Sequence, residues 1–192
     1  MAYYYLVSSL LPLSMDKLPP YTPKEFYETC KQILTSRDHT NLVHIINNRL
    51  DLAKNSFIKN WQKHENQLKQ TLARARMKQP NPEFHSPLTE GDERDPSVIN
   101  VVNEAIHQPN PMEKERVLDR YRWRLLDELV PNYSFEIQAI FSYIIKLKIA
   151  TRWQTMEEKK GMEIVVNLSE KIYQAANQKG LLTTKIDDNE DT

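Results

Sequence analysis

Three short stretches do most to restrict this chain: Thr22-Pro23-Lys24-Glu25, Asp95-Pro96 and Asn110-Pro111-Met112-Glu113. Each places a side-chain acceptor at a helix N-cap and a proline at the first helical position. There the missing N–H costs no hydrogen bond and the fixed φ suits the helix. Two of them add a glutamate at the third helical position, the pattern of a capping box, and Thr155-x-x-Glu158 repeats that box without the proline. Three glycines against eleven prolines leave the chain poorly supplied for the turns of a β-rich protein. The expected class is all-α.

Apolar spacing fills in the helices. Phe26, Cys30, Ile33 and Leu34 place a helix over about 22–35, and Leu42, Ile45 and Ile46 another over about 38–52. Phe57, Trp61, His64, Leu68, Leu72 and Ala75 mark a longer one over about 56–79. Between Gln79 and Arg94 come three prolines, a glycine and no apolar period, as in a linker or long loop. Beyond it, Val98, Val101, Val102, Ala105 and Ile106 define a helix from Asp95-Pro96; Tyr121, Leu125 and Leu129 define one that ends before Pro131. Ser134 opens a strongly apolar helix with Ile137, Ile140, Phe141, Ile144, Ile145 and Trp153. Thr155 opens a last one with Met162, Val165, Val166, Ser169, Ile172, Tyr173 and Ala176 on one stripe, and Gly180 suits its end.

The expected organisation is about seven or eight helices in two packed lobes, 1–79 and 96–182. A proline-rich loop over 80–95 joins them, and a disordered acidic tail covers 183–192. The opening Tyr3-Tyr4-Tyr5 is too aromatic for a loose terminus and is expected to be packed.

At 192 residues, 40% hydrophobic, the chain is long enough to bury a core. Lys plus Arg and Asp plus Glu balance at 26 each, so no overall charge draws it to nucleic acid or anionic lipid. Cys30 is alone, which leaves no internal disulfide or cysteine-based zinc site. The most apolar stretch, Ile137 to Ile149, is interrupted by Lys146 and Lys148 and is too short for a membrane span. With no signal-like n-region and h-region at its start, the chain is expected to be cytoplasmic.

Chemistry is sparse. Glu104-x-x-His107 has the spacing of a di-iron ligand pair, but such a site needs a second Glu-x-x-His, which the sequence lacks. His64 falls on an apolar stripe, as does Cys30, and the glycines are too scattered for a phosphate loop. No catalytic residue, metal ligand or cofactor is assigned, and the expectation is a non-enzyme. Two basic features are candidates for partner binding. Lys54, Lys59, Lys63, Lys69, Arg74, Arg76 and Lys78 face only Glu65 in their stretch, a charge pattern that can follow a phosphate backbone. Arg116, Arg120 and Arg124 form an i, i+4 row, with Asp119, Asp127 and Glu128 in reach for intrahelical pairing.

Tyr3-Tyr4-Tyr5-Leu6-Val7-Ser8-Ser9-Leu10 resembles the start of a small uncharacterised family encoded among bacterial V-type ATPase genes. Ser56-Phe57-x3-Trp61-x3-Glu65-Asn66-x-Leu68-x3-Leu72-Ala73-Arg74-Ala75-Arg76 resembles a helix of the C-type subunit of V-type ATPases (d-type in eukaryotes). Phe141-x-Tyr143-x2-Lys146-Leu147-x-Ile149-x2-Arg152-Trp153, with Gly161, resembles a later block. The resemblance implies a non-catalytic helical subunit or assembly factor of a V/A-type ATPase, a reduced socket between the membrane rotor ring and the central shaft. It implies peripheral attachment to the inner membrane through that complex, with Arg116, Arg120, Arg124, Arg74 and Arg76 as candidate contacts. The chain is far shorter than the C-type protein it resembles. The alternative expectation is a helical nucleic-acid-binding protein using 54–78.

Overall fold

The computed structural model describes residues 3–77, 95–131 and 134–178, with backbone alone at 77, 160, 161, 163–165, 167, 172, 173 and 175–178. Among the described residues stand seven α-helices, one 3-10 turn (Leu50–Leu52) and no strand. The helices are α1 (Tyr4–Ser8), α2 (Pro23–Lys31), α3 (Ser36–Ile46), α4 (Ser56–Met77), α5 (Pro96–Ile106), α6 (Pro111–Leu129) and α7 (Ile137–Gln178). The fold is all-α. The acidic tail, Gly180 and nearly all of the expected linker lie outside the described residues.

Three helix starts follow the sequence signals, at Thr22, Asp95 and Asn110, whereas α7 begins at Ile137 and not directly after Ser134. Thr22 Oγ1 accepts from the Glu25 N–H at 3.2 Å, and the Glu25 carboxylate accepts from the Thr22 N–H at 2.7 Å. That backbone hydrogen bond, with the one from the Thr22 hydroxyl, holds the Glu25 carboxyl below its ordinary pKa. Asp95 accepts from the Ser97 N–H at 2.9 Å and Asn110 from the Glu113 N–H at 2.8 Å.

Helix ends differ more. The helix expected to reach Thr35 stops at Lys31, because Thr35 is itself the N-cap of α3, accepting from the Asp38 N–H. The helix expected over 38–52 starts at Ser36 and stops at Ile46; Asn48 then turns the chain at φ 56°, a region asparagine tolerates. Lys148 completes that stop. Its ammonium donates to Ile45 O at 2.7 Å, Ile46 O at 3.0 Å and Asn48 Oδ1 at 2.7 Å, placing a cation on the negative end of α3.

The chain divides into two compact units, Met1–Thr151 and Arg152–Thr192. In the first, α4 buries Phe57, Ile58, Trp61, Leu68, Thr71 and Ala75, a band too wide for one neighbour. It packs on α5, on α6 and on the 3-10 turn. Helices from both sides of residues 80–95 thus share one core, and the boundary between units falls at 151/152 instead of inside that stretch.

Within this unit, residues 137–151 of α7 are apolar nearly all round. Every residue from Ile140 to Ile145 is buried, and so are Leu147, Ile149 and Ala150. A helix buried over most of its circumference belongs in the middle of a core. The Tyr143 hydroxyl donates to Leu11 O at 2.9 Å, and its ring lies 5.0 Å from that of Phe26. The opening tyrosines are tied down in part. Tyr3 is buried, its hydroxyl donating to Asp38 Oδ2 at 2.6 Å and accepting from the Thr35 N–H. Tyr4 lies against Phe135 at 4.7 Å, while Tyr5 is 88% exposed.

The second unit contains the remainder of α7. No new helix starts at Thr155, a correction to the sequence reading. Neither proline nor glycine interrupts residues 137–160, and inside a helix a Thr-x-x-Glu spacing is one turn of surface. Gln154 donates to Glu158 at 2.8 Å there. Met162, Val166 and Ser169, members of the expected stripe with described side chains, are exposed.

Candidate partner-binding site

Helix α6 carries four arginines, and the structure treats them differently. Arg122 turns inward to α4. Its Nε donates to Glu65 Oε1 at 2.7 Å and its Nη1 to Asp119 Oδ1 at 2.8 Å, one turn back on α6. Asp119 is fully buried, and Glu65 is largely so. Burial works against the Arg122 charge, but Glu65 and then Asp119 outweigh it and raise the guanidinium pKa. Glu65 is the only acid in α4, and it is taken up here.

Arg116 pairs with Asp16 at 3.4 Å, which holds the segment after α1 against α6. Asp127 pairs with Lys146 of α7, whose ammonium lies 5.3 Å from the centre of the Trp123 ring. The carboxylates expected to neutralise the arginine row are therefore partly diverted: Asp119 engages Arg122 and Asp127 engages Lys146. Arg120 and Arg124 are exposed and have no ion pair among the described residues.

These two arginines edge a groove between α5 and α6. Near Asp16 it opens into a hollow of about 410 Å³. Val101 and Val117, both buried, form the floor; Arg120, Trp123 and Arg124 form one wall, and Glu104 of α5 stands opposite. Leu13 to Asp16 make the rim. A second hollow of about 260 Å³ adjoins it, sharing Val101, Glu104 and Arg124, and runs on past Tyr121 to Ser97 and Glu128. The groove combines an apolar floor with charged side chains at its edges, of which Arg120 and Arg124 have no ion pair among the described residues. That arrangement suits recognition of a partner, with apolar contact supplying affinity and charge supplying register.

Other candidates are placed elsewhere. Arg74 and Arg76 are exposed on the last turns of α4 and line no part of the groove. His107 is the C-cap of α5, its Nδ1 2.7 Å from Asn103 O, while Glu104 faces the groove. No group of three or more His, Cys, Asp or Glu able to hold a metal ion occurs among the described residues. Cys30 is fully buried, and burial pushes its thiol up to about 12, far from a reactive thiolate. No described helix is long and apolar enough to cross a membrane.

Sequence reasoning missed Arg122, Trp123 and Lys148. The isolation of Glu65 among basic residues, with Asp119-x-x-Arg122 at helical spacing, was the available signal for the first. Trp123 sits next to the arginine row and off the apolar stripe of α6, where an aromatic is a candidate contact. Nothing local marks Lys148 as a cap for a helix that ends 102 residues earlier.

Residues 95–174 match the model of a family described as a protein of unknown function (DUF2764). The matched stretch is similar to that family and spans α5, α6 and most of α7, so it includes both groove helices but not Glu65. No curated protein and no solved structure matches the chain.

Proposed function

We propose that the chain is a non-catalytic helical subunit or assembly factor of a bacterial V/A-type ATPase, working as a reduced form of the C-type socket between rotor ring and central shaft. The setting comes from the resemblance of the opening tyrosines, the α4 block and the α7 block. The observation that carries a binding role is the α5–α6 groove, where Arg120 and Arg124 stand without an ion pair among the described residues, beside an apolar floor. Arginine at the edge of a partly apolar site is a common anchor of protein interfaces. Arg116 contributes to this surface indirectly, by tying Asp16 to α6.

Co-sedimentation with ATPase-containing native membranes tests the reading. The wild-type chain should associate, and Arg120→Glu with Arg124→Glu should release it while its circular dichroism stays helical. A wild-type chain that never associates with the ATPase removes the ATPase setting.

A second reading has one observation in its favour. With Glu65 turned onto Arg122, the exposed side of α4 presents Lys59, Lys63, Lys69, Arg74 and Arg76 with no acid of its own helix among them. Such a face fits a nucleic-acid backbone, and bound RNA or DNA released steeply by salt would support that role.

A further inference from the structure

From the charges around the α5–α6 groove we infer that its occupant is a helical segment of a partner protein. The segment carries two carboxylates one turn apart at one end, aliphatic side chains on the same face, and a basic residue towards the other end. This rests on the reading of the groove as a partner-binding surface and names what fits it.

Arg120 to Glu128 spans about 12 Å of helix axis, and the two adjoining hollows follow α6 over that distance. A trough of this form suits an extended or helical segment better than a compact small molecule. The floor of Val101 and Val117 offers no hydrogen-bond partner and calls for aliphatic side chains. Charge then orients the occupant. Arg120 and Arg124 are one helical turn apart, the separation at which two carboxylates on a facing helix are also neighbours. Guanidinium forks take carboxylates bidentately, and neither arginine has an ion pair among the described residues. Glu104 lines both hollows together with Arg124, while Glu128 lines the far hollow alone. A segment acidic throughout would be repelled there, and a basic residue is complementary.

The test uses the full chain and short helical peptides, blocked at both termini and carrying a fluorescent label. The probe has two glutamates one turn apart, leucines on the same face and a lysine towards the far end; the comparison peptide replaces both glutamates by glutamine. The glutamate peptide should bind more tightly, with the advantage reduced by added salt. Arg120→Gln with Arg124→Gln should weaken it by about tenfold or more, as expected for lost charge-assisted hydrogen bonds. Removing two charges elsewhere, with Lys24→Gln and Lys31→Gln on α2, should leave binding unchanged. Equal binding of the two peptides, no binding of either, or no effect of the arginine substitutions in a chain of normal helicity would overturn the inference. Peptide binding needs no ATPase. A chain that binds the peptide but never associates with the ATPase keeps this inference and loses the setting, and association without peptide binding does the reverse.

Discussion

The two sides of α6 hold chemically identical groups in opposite circumstances. Arg122, towards α4, is buried between Glu65 and Asp119; Arg120 and Arg124, towards the groove, stand in solvent without an ion pair among the described residues. The first is part of how the fold closes, because a charge taken from water is tolerated only with partners in place. The other two stand outside that closure, exposed at the edge of the groove. An arginine row read from sequence is therefore not one feature. The helical phase of each residue, and the carboxylates that other helices deliver, decide its role.

The sharpest way to break this contrast is Arg122→Met. Losing the guanidinium strands Glu65 and Asp119, and stability should fall by about 3–5 kcal/mol in a denaturant melt. Replacing Glu65, Asp119 and Arg122 together by apolar residues should recover much of that loss. A single-variant loss under about 1 kcal/mol would mean the network is no more than a surface pair.

Lys148→Met comes next. It frees the last carbonyls of α3 from a charged donor and should cost about 1.5–3 kcal/mol, with exchange protection lost first around Ile45 and Ile46.

Alkaline pH should separate core from charge network more gradually. Burial raises both the Tyr143 hydroxyl and the Cys30 thiol to about 12. The folded state thus holds protons that the unfolded chain releases at lower pH. The contribution is complete below the ordinary pKa of each group and is lost as pH rises towards 12. Melting temperature should therefore decline above about pH 9, while the loss caused by Arg122→Met stays constant until that decline begins.

The smallest effect belongs to the groove side. Arg120→Gln and Arg124→Gln should each change stability by less than about 0.5 kcal/mol. A larger loss in thermal or denaturant melts would give these arginines a structural role and remove the contrast.

Helix starts were legible in the sequence because their determinants are local: Thr22, Asp95 and Asn110 each satisfy an N–H two or three residues away. Ends were less so. The stop at Ile46 is capped by the distant Lys148, and the continuity of α7 through Thr155 depends on the absence of a breaker more than on the presence of a cap. Val101, Arg120 and Arg124 were visible as separate features, yet their meeting in one groove is tertiary. So is the diversion of Asp127 to Lys146, which no spacing within α6 encodes.

The Tyr143–Leu11 and Lys148–Ile45 hydrogen bonds join positions 132 and 103 residues apart. On a ribosome, the segment that follows α1 and the end of α3 would both be made long before the helix that secures them. Contacts of such separation close late and slow the search for the native state. Until residues 137–151 arrive, the hydrogen bonds that secure the segment after α1 and the end of α3 have no donors. A chain cut short before α7 should remain in that unfinished condition, however well its helix caps are written.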